Sequence, residues 1–337
     1  MAPPALGEFE IIARYFAPLA AREAGALGLL DDAAVVALPP GRSVVVSTDA
    51  LVASVHFLSD EAADDVAAKT LAVGFSDLAA MGADAVGYTL SLALPRAWSV
   101  GCLERWLAGF AAGLGGEQQR LGVSLLGGDT VATPGPLALS ITVLGSVESG
   151  RALTRAGARP GDRVFVSGTI GDAALGLAVL TGRIEASGPA ARDALIRRYR
   201  RPAARLALGR RLVGVASAAC DVSDGLVADL GHICRASGVS ATLEAAAIPL
   251  SDAAAAVLAG GSGQLADVVE GGDDYELVFT VPAEHVARLR DIARAADTPV
   301  AAIGRIDPEP AEPAAVVRLV DAAGRPMETR RGGYRHF

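Results

Sequence analysis

The stretch Ser43-Val44-Val45-Val46-Ser47-Thr48-Asp49 is the clearest strand signal in the first half of the chain, and it leads directly into a carboxylate. Valine is β-branched, and its restricted side chain favours an extended backbone. Downstream, residues 61–81 and 98–121 carry apolar side chains at helical spacing, whereas 88–94 and 137–144 read as strands. The first half therefore predicts strands that alternate with helices.

The second half predicts the same alternation. A strand at 163–167 is followed by a Gly-Thr-Ile-Gly turn and a helix at 172–180. Further on, the pattern predicts a helix after Pro202, a short strand into Asp221, a helix at 226–237 and a strand at 277–281. This order indicates an α/β layer architecture. Because residues 145–162 are rich in Gly and Arg, we place the domain junction there and predict domains at 1–148 and 149–337.

Composition narrows the function class. The chain has 337 residues, of which 51% are hydrophobic, but no run approaches the roughly 18 to 20 apolar residues that span a bilayer. The net charge of −8 argues against nucleic-acid binding, and we expect the paired arginines, such as Arg197-Arg198, on a solvated helix face. Three cysteines without a Cys-x-x-Cys spacing and an N-terminus without a leader pattern lead us to expect a cytoplasmic protein that is not membrane-bound.

The placement of the aspartates is the main functional signal. They follow strand-like or Gly-rich segments and have hydrophobic neighbours: Asp31, Asp32, Asp49, Asp77, Asp129, Asp221, Asp224, Asp273 and Asp274. Taken singly, each could be a turn or cap residue. Clustered carboxylates repel one another, however, and few basic residues adjoin these motifs, so a hard cation such as Mg²⁺ is the natural partner. Several such ions would suit polyphosphate chemistry.

Two glycine-rich turns could allow phosphate to approach the backbone, with helix amides aimed at it. They are Gly127-Gly128 and Gly168-Thr169-Ile170-Gly171. Lys69 is the only lysine and is preceded by Ala68, so the chain has no Gly-Lys-Ser/Thr phosphate loop and no protein-kinase lysine anchor.

The order of the motifs resembles that of the thiamine-monophosphate kinase family. The similarity rests on Ser47-Thr48-Asp49-Ala50-Leu51, Ser76-Asp77-Leu78-Ala79-Ala80-Met81-Gly82, Gly127-Gly128-Asp129-Thr130, Asp221-Val222-Ser223-Asp224-Gly225-Leu226, Gly272-Asp273-Asp274-Tyr275-Glu276-Leu277 and the tail Gly333-Tyr334-Arg335-His336-Phe337. It extends over essentially the whole chain. The resemblance implies a two-domain aminoimidazole-ribonucleotide synthetase-like fold, with an N-terminal mixed sheet and a C-terminal α/β domain. It further implies a homodimer that uses ATP, with several Mg²⁺ ions, to convert thiamine monophosphate into thiamine diphosphate.

The resemblance also implies roles for individual residues. Metal positions match Asp32, Ser47, Thr48, Asp49, Asp77, Asp129, Asp221 and Asp224. Nucleotide contacts match Gly128, Asp129, Arg155 and Ser223, and among these Asp129 and Arg155 are the expected catalytic residues. Substrate contacts match His56, Asp273 and Arg331. In this scheme the first domain binds metal and ATP and forms the dimer, and the second completes the nucleotide and substrate site.

Several positions depart from the family pattern, among them Val131-Ala132, which replaces a usual Thr-Arg. Leu30 replaces a glycine, Phe75 an asparagine and Asp273 a glutamate, while Arg331 stands where an aromatic residue often contacts substrate. Two alternatives therefore stay open. One is another ATP-dependent enzyme of the superfamily that acts on a purine precursor or on selenide. The other is a non-catalytic nucleotide-binding relative.

Overall fold

The computed structural model describes residues 7–308 and 316–328. The chain folds into two compact units, each with its own β-sheet. The first unit comprises Met1–Leu78 and Asp84–Ser149, and the second comprises Ala79–Ala83 and Gly150–Phe337. The predicted fold class, α/β with an N-terminal mixed sheet and a C-terminal α/β domain, is confirmed.

The first unit contains a four-stranded mixed sheet. Its strands are β1 (Arg42–Val52), β2 (Asp84–Pro95), β3 (Ser124–Thr133) and β4 (Ala138–Glu148). They lie in the order β1-β4-β2-β3, with β4 antiparallel to both neighbours and β2 parallel to β3. Strands β1 and β3 are therefore the two edges of this sheet.

Helices pack around this sheet. They are α1 (Glu8–Ile11), α2 (Ala17–Ala20), α3 (Ala63–Ala80) and α4 (Val100–Leu121), with a π-helical turn at Ile12–Phe16 and a 3₁₀ segment at Ala24–Leu29. Gly74 brings α3 close to β4, since a Cβ atom there would lie 2.9 Å from Val143. Gly113 likewise brings α4 against α3, because its Cβ would lie 2.7 Å from the Cα of Asp64. The glycines that weaken α4 by propensity thus permit its packing.

Two local predictions for the first unit are wrong. Asp49 was expected at the end of a strand, but β1 continues to Val52, so Asp49 lies within it. Gly127-Gly128 was expected to form a turn before a helix, but both glycines lie inside β3, which is followed by β4. Pairing with β2 therefore outweighs the low strand propensity of the Gly-Gly-Asp sequence.

The second unit contains a seven-stranded sheet in the order β11-β10-β7-β9-β5-β8-β6. Its strands are β5 (Arg163–Ser167), β6 (Ala218–Asp221), β7 (Ser240–Glu244), β8 (Leu277–Val281), β9 (Val300–Asp307), β10 (Val317–Val320) and β11 (Pro326–Met327). Its helices are α5 (Asp172–Leu180), α6 (Pro189–Arg200), α7 (Leu206–Leu212), α8 (Leu226–Ser237), α9 (Asp252–Ala259), α10 (Leu265–Val269) and α11 (Leu289–Ala295), with 3₁₀ segments at Ala245–Ala247 and Ala283–Arg288.

Strand β8 is buried along its whole length because hydrophobic cores lie on both faces of this sheet. On one face, Val166 and Val278 belong to the core that includes residues of α5 and α8. On the other, Phe165 stacks on Phe279, with ring centroids 5.8 Å apart. This burial fixes β8 and its neighbour β6. The loop that follows β6 and the segment that precedes β8 carry the aspartate motifs of this unit. Among the residues that the structure describes, no helix is long and apolar enough to cross a membrane.

Candidate active site

A carboxylate pair forms the centre of the first unit's candidate site. Ser47 and Asp49 alternate along β1 toward the same face, and Asp77 reaches them from α3. The Ser47 hydroxyl donates a hydrogen bond to the Asp77 carboxylate. Asp49 Oδ2 is buried and has no hydrogen-bond partner among residues 7–308 and 316–328. Burial, followed by repulsion from Asp77, raises the pKa of Asp49 to about 6.

This pair fits a divalent cation. A buried carboxylate oxygen without a partner costs free energy, and a second carboxylate beside it adds repulsion. A cation removes both penalties. The donors present, carboxylate and hydroxyl oxygens, are the hard ligands that Mg²⁺ prefers. Asp49, Asp77 and Ser47 are therefore suited to hold it.

The remaining residues of the predicted metal set in this unit lie elsewhere. Thr48 points to the opposite face of β1, where its hydroxyl donates to the carbonyl oxygen of Ile141 at 3.1 Å. Asp32 is exposed in a bend that precedes β1. This loop is closed at its base by a hydrogen bond from the Val35 amide to the Gly25 carbonyl oxygen, 2.8 Å.

Gly128 and Asp129 lie on the far edge of the sheet from Asp49. Asp49 is in register with Ile141, Ile141 with Leu90, and Leu90 with Gly128. Three interstrand steps of about 4.8 Å separate β1 from β3 by roughly 14 Å. A Cβ on Gly128 would lie 1.9 Å from the Leu90 carbonyl oxygen, so only glycine fits there. Asp129, the next residue, is exposed.

His56 is oriented by the backbone. Its Nδ1 accepts a hydrogen bond from the Val52 amide at 3.0 Å, within a turn where Ser54 has φ +67°. A ring nitrogen that accepts from an amide carries no proton, so the proton of the neutral ring is on Nε2. Phe75, which replaces an asparagine of the family pattern, lies in the core, where it makes an edge contact with Tyr88.

In the second unit, the Asp221–Gly225 loop after β6 is held by Asp229, a residue outside the predicted site. Asp229 Oδ2, on α8, accepts hydrogen bonds from the amides of Ser223, Asp224 and Gly225, each at 3.0 Å. Burial, followed by repulsion from Asp224, raises the pKa of Asp229 to about 7. The only sequence signal for this residue was an acidic side chain in the first turn of a helix.

Two further groups adjoin this loop. Ligand atoms of Asp224, Asp229 and His232 lie within 4.8 Å of one another, a donor set that could accept a cation. The Arg155 guanidinium lies near Cys220 and near the carboxylates of Asp221 and Asp229. Burial raises the pKa of Cys220 far above its ordinary value, so Cys220 stays a neutral thiol and is not a nucleophile.

The segment Gly271–Glu276 pairs with the same loop. The amide of Asp273 donates to the Ser223 carbonyl at 2.9 Å, and that of Tyr275 donates to the Val222 carbonyl at 2.8 Å. Asp273 and Tyr275 both have positive φ, +70° and +52°. The Tyr275 hydroxyl donates to Asp273 Oδ1 at 3.1 Å. Predicted nucleotide residue Ser223, metal residues Asp221 and Asp224, and substrate residue Asp273 are thus brought together, whereas Arg331 lies outside the described residues.

One possible phosphate site is already occupied in this unit, and one prediction is wrong. The sequence of the Gly168–Gly171 turn could allow phosphate to approach, but the amides of Gly171 and Ala173 donate to Asp274. Arg198 was expected on a solvated face, but its guanidinium binds the fully buried carboxylate of Glu276 at 2.8 Å. The sequence shows which backbone amides and arginines could bind an anion. It does not show whether that anion is a ligand phosphate or a carboxylate of the protein itself.

Comparison with known proteins places these features in a family. Residues 30–147 match the family described as AIR synthase related protein, N-terminal domain, and residues 159–316 match the C-terminal domain of the same description. The thiamine-monophosphate kinase of Salmonella typhimurium is 42% identical over 334 residues, which is 99% of either chain.

Two solved structures share the fold. The thiamine-monophosphate kinase of Stenotrophomonas maltophilia aligns with a TM-score of 0.77 and 39% identity, covering 91% of this chain and 96% of that one. A protein named AaThiL, solved in complex with AMPPCP and TMP, aligns with a TM-score of 0.75 and 30% identity, covering 94% and 98%. With this identity over its full length, the chain belongs to the thiamine-monophosphate kinase family.

Proposed function

We propose that this chain transfers the γ-phosphoryl group of ATP directly to the phosphate of thiamine monophosphate, giving thiamine diphosphate and ADP. The observation that carries the proposal is the pair Asp49 and Asp77, with its unpartnered buried oxygen, in a chain whose full-length relatives are thiamine-monophosphate kinases. The solved relative with AMPPCP and TMP binds an ATP analogue and the acceptor together, which supports both as substrates here.

We further propose that Mg²⁺ is the required cation. Asp49, Asp77 and Ser47 would hold it in the first unit, and Asp221 and Asp224 in the second. Asp32, Thr48 and Asp129 are the further metal positions that the resemblance to the family implies. When bound, Mg²⁺ neutralises phosphate charge and so lowers the repulsion between the two anionic substrates.

The chain's own residues have separate tasks. The acceptor oxygen of thiamine monophosphate is already anionic near neutral pH, so the reaction needs positioning and charge neutralisation more than a strong base. Arg155 supplies a fixed positive charge for the nucleotide phosphates. His56 presents a donor at Nε2 for the acceptor phosphate. Asp273 contacts the thiamine part, and Gly128 and Ser223 contact the nucleotide.

We propose that the protein acts as a homodimer through the uncovered face of its first sheet. Helix α3 packs on the other face, while Val44, Val46 and Val131 are 59%, 60% and 51% exposed on this one. An apolar patch exposed on a sheet face is typical of a protein–protein interface. A second copy of the chain is the partner that symmetry favours.

The dimer also offers a way to unite the predicted metal ligands. Asp49 and Asp129 lie on opposite edges of one sheet, roughly 14 Å apart, too far to share an ion. If Asp129 of one copy serves the Asp49 of the other, mixed dimers of Asp49→Asn and Asp129→Asn have one intact site of two. Random mixing of the two inactive variants then restores about a quarter of the activity. No restoration would contradict the sharing of a metal site between the two copies.

In this proposal residues 1–148 supply metal binding, ATP binding and the dimer surface, and residues 149–337 supply the remaining nucleotide and substrate contacts. We propose a cytoplasmic location, where ATP and reduced cysteines are both available. Cys220 and Cys234 are buried thiols, consistent with a reducing compartment.

A coupled assay of ADP release tests the activity. It compares thiamine monophosphate, free thiamine, a purine precursor, selenide and no acceptor, each with and without Mg²⁺. We expect release only with thiamine monophosphate and Mg²⁺. Release with a purine precursor or selenide instead would favour another enzyme of the superfamily, and nucleotide binding without release would favour a non-catalytic relative.

A further inference from the structure

Asp274 is a fully buried carboxylate that the proposed mechanism does not use. Its Oδ2 accepts the Gly171 amide at 2.7 Å, and its Oδ1 accepts the Ala173 amide at 3.3 Å. These amides belong to the beginning of α5, where helices leave N–H groups without partners. The carboxylate of Asp274 therefore occupies the place that a bound phosphate takes at other helix N-termini.

Glu276, two residues later, is anchored in the same interior. Its carboxylate accepts hydrogen bonds from Arg198 at 2.8 Å, from Arg205 Nε at 2.7 Å and from the Ser167 hydroxyl at 2.5 Å. Gly168 makes room for it, because a Cβ there would lie 2.2 Å from Glu276 Oε1. Asp274 and Glu276, which alternate along this segment, are thus both held in the interior by hydrogen bonds.

The residues between these anchors carry backbone strain. Tyr275 at φ +52° is an aromatic residue in the left-handed region, which costs about 1 to 2 kcal/mol. Asp273, also left-handed, is a residue type that tolerates this region better. Such conformations persist only where the surroundings impose them. The two inward carboxylates, together with the backbone bonds to Val222 and Ser223, impose them here.

The neighbouring Ser223–Gly225 loop has its own anchor. Asp229 holds the three amides of that loop independently of Asp274. The acceptor-side segment and the nucleotide-side loop are therefore held by two different buried carboxylates. An experiment can therefore distinguish the effect of a substitution at Asp274 from the effect of a substitution at Asp229.

We propose that Asp274 is a positioning residue for the acceptor: by filling the amide site of α5 it fixes the left-handed backbone that presents Asp273 to thiamine monophosphate. This inference rests on the proposed function, in which Asp273 contacts the thiamine part. Asp274 itself touches no substrate. Its removal therefore affects acceptor binding more than ATP binding.

The test compares Asp274→Ala, which removes both acceptor oxygens, with Asp274→Asn, which keeps one. Asp172→Ala is the matched control, because Asp172 is also buried at the start of α5 but bonds Thr169 and Ser251. We expect Asp274→Ala to raise the KM for thiamine monophosphate about tenfold while the KM for ATP changes less than about threefold. Asp274→Asn should raise the KM for thiamine monophosphate much less than Asp274→Ala does. Asp172→Ala should have little effect on either KM.

A double variant shows whether Asp274 acts through Asp273. In an Asp273→Ala background, Asp274→Asn or Asp274→Ala should cause no further rise in the KM for thiamine monophosphate. An additive rise, an equal effect on both KM values, or an equal effect of Asp172→Ala would overturn the inference.

Hydrogen exchange provides a readout that needs no substrate. Asp274→Ala should speed exchange of the Tyr275 amide by about tenfold or more and leave the Asp224 amide, which Asp229 holds, unchanged. Equal acceleration of both amides, or of neither, contradicts the inference. If the wild-type protein does not phosphorylate thiamine monophosphate, the proposed function is refuted. The hydrogen-exchange result then still decides whether Asp274 holds the backbone of this segment.

Discussion

Substitution of Asp49 by asparagine should stabilise the metal-free protein while it abolishes activity. In the folded chain, burial and the neighbouring Asp77 raise the pKa of Asp49 from 3.8 to about 6. At pH 8 the charged form is therefore destabilising, by an upper figure of about 3 kcal/mol. Because Asp49 is partly accessible to solvent, screening reduces this figure, and we expect about 2 kcal/mol.

The pH dependence has a definite sign. The folded state holds the proton of Asp49 more tightly than the unfolded chain, so the destabilisation is complete above the folded pKa of about 6. It disappears as the pH falls below the unfolded value of 3.8. At pH 5 about half of the effect remains. The advantage of the asparagine variant should shrink accordingly.

Differential scanning calorimetry in a chelator at pH 8 and pH 5 measures this. We expect Asp49→Asn to melt about 5 °C above the wild type at pH 8, and about half as far above it at pH 5. The control is Asp60→Asn, at an exposed position in the same unit, which should change the Tm little. Added Mg²⁺ should raise the Tm of the wild type only. If the variant melts at or below the wild-type temperature at pH 8, the charged Asp49 does not destabilise the metal-free fold. This result would refute its assignment as a carboxylate that needs a bound cation.

Three further substitutions test other parts of the structure. Gly128→Ala places a Cβ 1.9 Å from a backbone oxygen and should cost about 2 kcal/mol or more in thermal unfolding, whereas Gly127→Ala, whose Cβ meets nothing closer than 3.9 Å, should cost less than half as much. Arg205→Ala removes one of two guanidinium groups from buried Glu276 and should cost about 3 kcal/mol by denaturant titration; a loss below 1 kcal/mol would show that the other arginine suffices. Arg155→Ala should raise the KM for ATP about tenfold at an unchanged Tm, and an unchanged ATP dependence would remove Arg155 from the site.

The sequence predicted β1, β2, β4, β5, β6 and β8, but it missed β3, β7, β9, β10 and β11. Helix 61–81 is observed as Ala63–Ala80 and helix 226–237 as Leu226–Ser237, because an apolar face every three to four residues leaves few alternatives. Strand β3 contains Gly127, Gly128 and Asp129, residues with poor strand propensity. Its pairing with β2 is a long-range contact that no local pattern contains.

The sequence predicted which residues belong to the site, but not how they are arranged in space. The motif order identified Asp49 and Asp77, which the structure brings together. It did not reveal that Thr48 faces the other way or that Asp129 lies on the opposite edge strand, because both facts depend on strand register. Asp229 and Asp274 bind backbone amides, and this role leaves no signature in composition or spacing.

The fate of the γ-phosphoryl group tests the central claim most directly. Incubation with ATP labelled with ¹⁸O on the γ-phosphoryl, thiamine monophosphate and Mg²⁺, followed by mass spectrometry, locates the label. The account predicts thiamine diphosphate whose terminal phosphoryl group carries the label, with one ADP formed for each. Label found in free phosphate while thiamine monophosphate is recovered unchanged would contradict it.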